Sequence, residues 1–124
     1  MSNTLLYIGS VAIVIWGIAH IVPTKSVVSS FNSISQDNKR IITMEWVAEG
    51  LTLCFIGLLI LFVTLFARDG SYVVDIVYRT SGVMLLVMAG WTLATGARTA
   101  IIPIKICPLV KTVVAILFLA GSFL

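Results

Sequence analysis

The sequence predicts an all-α polytopic membrane protein, an antiparallel bundle of four transmembrane helices. Three observations predict it. Hydrophobic residues fill 60% of the 124 positions. Charged residues fill 10%, where a soluble domain carries about 25%. Those few charges fall mostly between or at the ends of four apolar stretches, each near the ~20 residues that cross a hydrocarbon core. A surface so poor in charge needs lipid in place of water, and only a structure that satisfies its own backbone hydrogen bonds can sit there.

The spans are expected at about 5–22, 44–66, 72–95 and 106–124, as a single transmembrane domain. Pro23 follows the first, and the residue before a proline is pushed toward extended backbone. The first apolar run is long enough to span and has no Lys or Arg before it, so it is read as an uncleaved helix. The second connection contains Asp69-Gly70, a turn signal, which predicts that spans two and three are antiparallel neighbours. In the third connection Gly96 is a candidate cap, and Pro108 fits the first turn of span four. The first connection is long. Val27, Val28, Phe31 and Ile34 can share one face, so a surface-lying helix is expected over about 25–36, with Asp37 or Asn38 capping the next.

Basic residues choose the orientation. Lys25, Lys39, Arg40, Arg98 and Lys105 belong to connections one and three, and Lys111 lies just inside span four. The positive-inside rule then puts those connections in the cytoplasm and both termini outside, as expected of a multi-pass protein of a bacterial inner membrane. The net charge of +3 reflects these loops and their contact with anionic membrane lipids. No long basic tract or zinc-finger spacing points to nucleic acid, so no such partner is expected.

The same arrangement predicts a polar site. His20 closes span one, with Trp16 one turn before it. Glu45 and Glu49 lie four apart at the start of span two and share a face. Arg98 and Lys105 end the third span and its connection, and Lys111 opens the fourth. Antiparallel helices bring these groups to one end. A carboxylate within the bilayer is a functional candidate, and Glu49 lies deepest. His20, Glu45 and Glu49 are therefore the candidates for proton transfer. Trp16, Arg98, Lys105 and Lys111 are the candidates for ligand binding, the cations as a clamp for an anionic headgroup. No metal site is expected: one His with two Glu from a single helix is a poor facial triad, and haem would lack a second His. Cys54 and Cys107 form no disulfide framework. At the other end Asp75 and Arg79 lie four apart and predict a structural ion pair within span three. Trp46 and Tyr72 read as interface anchors, and Gly50, Gly57, Gly82, Ala89, Gly90 and Ala94 as small packing positions.

The stretches WGIAHIVPTK (16–25) and TMEWVAEGLTLCFIGLLI (43–60), with the chain's size, four spans and long first connection, resemble the small four-helix bacterial membrane proteins grouped as DoxX-like. The resemblance is architectural and covers most of the chain. It carries no catalytic motif, so it assigns no residue a role and names no cofactor. It implies either an accessory subunit of a quinone-linked oxidoreductase or a small membrane protein of a kind with no assigned activity. Three functions fit the residues: binding of a lipophilic ligand such as a quinone or lipid, alone or as such an accessory subunit; a membrane enzyme using His20 and Glu49 on a lipid-like substrate; and a small transporter working as a homo-oligomer.

Overall fold

The computed structural model describes residues 2–68 and 70–124. Among them every regular element is a helix. Helix α1 runs Asn3–Ile21, short α2 Thr24–Ser29, α3 Gln36–Phe66, α4 Tyr72–Ala94 and α5 Ile102–Phe123, with a 3₁₀ turn at Gly96–Arg98 before α5. Helices α1, α3, α4 and α5 are each long and apolar enough to cross a membrane. The protein is a four-helix multi-pass membrane protein, and the apolar side chains on its outside (Ile15, Phe55, Phe62, Val87 and Ile116 among them) face lipid.

Several boundaries differ from the sequence expectation. Helix α3 starts at Gln36, ahead of the expected 44, because Ser35 caps it: the Ser35 hydroxyl accepts from the Asn38 amide at 3.1 Å. Asp37 and Asn38 therefore lie inside the helix and are not its cap. With 31 residues α3 is about 46 Å long, more than the ~30 Å hydrocarbon core needs, so its polar first turns project beyond it. The surface helix is shorter than expected. It ends at Ser29, where the Ser29 and Ser30 hydroxyls turn back to the carbonyls of Ser26 and Val27, and Ser33 then takes a left-handed φ of 58°. Helix α5 starts at Ile102 and not at 106, since Pro103 fits its first turn. Pro108 is thus inside α5, and Lys111 lies nine residues into the helix, about 13 Å along it. In the α3–α4 connection Gly70 has a φ of 81°, which a glycine adopts freely. Asp69, the other half of the expected turn signal, lies outside the described residues.

Helix pairing follows the small residues more than the connections. Helix α1 lies against α3, α4 against α5, and α1 against α5, whereas α3 and α4 touch only sparsely despite the short loop between them. The reason is where backbones can approach. A Cβ at Gly17 would come within 2.8 Å of the Gly50 carbonyl, and one at Gly50 within 3.0 Å of the Gly17 carbonyl, so α1 and α3 meet backbone to backbone. Gly82 lets α4 and α5 approach closely, where a Cβ would meet the Leu119 side chain at 2.9 Å and the Ala115 carbonyl at 3.3 Å. Gly90 on α4 has no atom within 4 Å of where its Cβ would be, so it joins no such contact. The core filling the bundle between its two ends is apolar: Leu53, Ile56, Ile60, Leu85, Val114 and Phe118.

Candidate functional site

Glu49 projects from α3 into the bundle near the end where connections one and three lie. Lys111 reaches it from α5 and donates to Glu49 Oε1. The Lys111 side chain is 0% exposed, and its ammonium also donates to Thr92 Oγ1 on α4 at 2.8 Å. The Thr92 hydroxyl in turn donates to the Met88 carbonyl at 2.9 Å, so its oxygen is held where Lys111 needs an acceptor. A cation this deep is tolerable only when paired and hydrogen-bonded, and here both conditions are met.

His20 completes the set from α1. Its Nε2 lies 3.7 Å from Glu49 Oε2, too far for a hydrogen bond, and its side chain is only 8% exposed. That nitrogen is buried and has no hydrogen-bond partner among the described residues. The ring is held in place by Trp46, which stacks on it with centroids 4.2 Å apart and planes 16° apart. The Trp46 indole also donates to the His20 carbonyl at 2.6 Å, which ties α3 to the end of α1. Trp46 therefore serves as a support for His20, where the sequence suggested only an interface anchor.

His20, Trp46, Glu49 and Thr92 line a cavity of about 610 Å³, with Lys111 behind them. Helix α1 contributes Trp16 and His20, α3 Trp46 and Glu49, α4 Trp91 and Thr92 with Thr95 just after it, and α5 Pro103, Ile104 and Cys107. Val27 of α2 and Phe31 just after it reach the same space. The walls are mainly apolar and aromatic, with His20, Glu49 and the threonines as the polar exceptions. The Trp16 indole donates to Cys107 Sγ at 3.4 Å, closing the wall between α1 and α5. Cys107 is buried and free, and Cys54 is free and half-buried.

No family model, curated protein or solved structure matches this chain.

Of the residues singled out from sequence, the structure brings Trp16, His20, Glu49 and Lys111 together. Glu45, Arg98 and Lys105 are exposed and do not line the cavity. Glu45 is one turn before Glu49, but four residues turn a helix through about 40° more than a full circle, and that difference takes it off the inward face. Asp75 and Arg79 lie at the opposite end, 3.8 Å apart. Among the described residues no three His, Cys, Asp or Glu side chains gather as a metal group. The sequence reading missed the supporting roles of Trp46 and Thr92 and the lining roles of Trp91 and Cys107. Thr92 had a usable signal: with α5 extended back to Pro103, Lys111 becomes too deep to reach water and needs a neutral acceptor on a facing helix.

Proposed function

We propose that this protein binds a lipophilic molecule, a quinone or a lipid, in the cavity beside His20 and Glu49, either alone or as an accessory subunit of a membrane complex. The observation that carries this reading is an apolar cavity of about 610 Å³ with one concentrated polar spot on its wall. That is the usual build of a small-molecule site: mostly hydrophobic walls and a few placed polar groups that orient the ligand. The architecture is also compatible with the DoxX-like resemblance, and the accessory-subunit role comes from that resemblance. With the basic connections on the cytoplasmic face of a bacterial inner membrane, the cavity belongs to the cytoplasmic half of the bundle. The apolar core between the two polar ends weighs against transport through a single copy.

Proton transfer between His20 and Glu49 is the second reading, favoured by their 3.7 Å approach inside a cavity. It needs the same ligand site, so binding is tested first. Native mass spectra in mild detergent should show a small molecule retained on the wild type. The double variant Glu49→Gln with Lys111→Met, which removes both charges together, should lose it. A wild type that carries nothing and shows no change in Trp fluorescence with any added lipid or quinone sinks the proposal.

A further inference from the structure

We infer that the head group taken by this cavity is an uncharged hydroxyl, held between His20 Nε2 and Glu49 Oε2. The inference rests on the reading that the cavity binds a lipophilic molecule, and it names the chemical class.

The charges on the wall are already balanced. Lys111 is committed to Glu49 Oε1 and Thr92 Oγ1 and is fully buried behind them. Arg98 and Lys105, the other cations expected at this end, are exposed and outside the lining. Among the described lining residues no cation remains to neutralise a phosphate or carboxylate. An anionic head would instead meet the Glu49 carboxylate, a repulsion made worse by the low dielectric. A cationic head would compete with Lys111 for the one carboxylate and leave a buried ammonium short of its partner.

Hydrogen bonding narrows the class further. Two polar atoms face each other without bonding: the buried, unpartnered Nε2 of His20 and Oε2 of Glu49, 3.7 Å apart. Carboxylate oxygens only accept, so whatever bridges the pair must donate toward Glu49. With His20 in its Nε2–H form, the bridging atom must also accept. One hydroxyl does both. An oxygen about 2.8 Å from each atom makes an ordinary triangle over that separation. A carbonyl can accept from His20 but turns its other lone pair toward the carboxylate, so of a quinone couple it is the hydroxyl-bearing quinol that fits. An ether oxygen has the same fault as the carbonyl. The remaining walls, Trp16, Trp46, Trp91 and Phe31 among them, suit an apolar or aromatic body attached to that hydroxyl.

The test uses wild-type protein in detergent with three probes: a long-chain para-alkylphenol, its methyl ether and phosphatidic acid. The lining tryptophans report binding by fluorescence. The phenol should bind at least roughly tenfold more tightly than the ether, because the ether can accept from His20 but donates nothing to Glu49 Oε2 and sets a lone pair against it. Phosphatidic acid should bind more weakly than the phenol. His20→Phe keeps a ring on Trp46 and deletes the nitrogen, and should shrink the phenol-to-ether ratio to about twofold while the ether still binds. Equal binding of phenol and ether to the wild type overturns the hydroxyl assignment and leaves the cavity a lipophile site, with water bridging the pair. Tighter binding of phosphatidic acid overturns it in favour of an anionic head. A His20→Phe variant that keeps the full ratio overturns the role of His20. Failure of all three probes to bind counts against the ligand-binding reading itself.

Discussion

The two ends of the bundle each hold an acid–base pair, and the pairs are built in opposite ways. Glu49 and Lys111 are 62 positions apart and join α3 to α5, with the lysine fully buried. Asp75 and Arg79 are one turn apart on α4, and their side chains are 30% and 40% exposed. The first pair can form only after two helices distant in sequence have met; the second needs one helix. The Arg79 end is also less demanding, since the guanidinium has other contacts: its Cζ lies 4.1 Å from the Phe123 ring centroid, and its Nε donates to Ser122 Oγ at 3.4 Å. A buried interhelical pair is a poor way to gain stability compared with apolar packing. Its presence beside a cavity is better explained by what the cavity does, while the outer pair is explained by the need to neutralise Arg79.

The largest expected effect comes from unbalancing the inner pair. Glu49→Gln leaves a fully buried ammonium without its counter-charge and should lower unfolding stability in mixed micelles by about 3–5 kcal/mol. Lys111→Met should cost less, because the abandoned Glu49 side chain is 31% exposed and can be hydrated. The double variant should recover most of the loss, since it removes both charges and fills the Lys111 site with an apolar chain of similar length. A double variant as unstable as Glu49→Gln would show that the pair holds the bundle together, and the contrast between the two ends would fail.

The contrast also shows what could be read from sequence. The spans were legible because apolar runs of membrane length have few other readings. Their ends were harder. The stretch 100–106 is apolar whether it connects helices or begins one, and only Pro103 distinguishes the two by fitting a first turn. That ambiguity placed Lys111 one turn into its helix, near the surface, when it lies about 13 Å along. A cation read as part of a clamp for an anionic headgroup is thus a buried partner of Glu49. Helix adjacency misled for a different reason. A short loop says that α3 and α4 follow one another, but close contact depends on where glycines face, and Gly17, Gly50 and Gly82 favour α1–α3 and α4–α5. The sparse α3–α4 seam leaves room beside Glu49. The stacking of Trp46 on His20 had no signal in either residue alone, since it depends on the register between α1 and α3.

An intermediate effect is expected where the outer end has its own buried link. Tyr78 is 1% exposed, and its hydroxyl lies 3.1 Å from Thr64 Oγ1, across the α3–α4 seam. The Thr64 hydroxyl also donates to the Ile60 carbonyl, so it keeps a partner when Tyr78 is changed. Tyr78→Phe preserves the ring and should cost about 1 kcal/mol, measured by the same unfolding assay. It should leave phenol binding at the far cavity unchanged. A loss of binding there would mean that the seam acts as one unit and that the two ends are coupled.

The smallest effect should come from the exposed pair. Asp75→Asn removes the carboxylate but leaves Arg79 with Phe123 and Ser122, and 40% exposure gives the guanidinium access to interfacial water. Partly exposed i,i+4 pairs contribute little, so the variant should lie within about 1 kcal/mol of wild type. Arg79→Lys is the sharper of the two changes. It keeps the charge but loses the flat group that stacks on Phe123 and the Nε that reaches Ser122, so any loss measures those contacts and not the ion pair. If Asp75→Asn proves as costly as Glu49→Gln, the outer pair is also set in a water-poor site, and burial no longer separates the two ends. If Arg79→Lys costs more than Asp75→Asn, the tie from α4 to the last turn of α5 outweighs the ion pair, and the outer end is held chiefly by stacking.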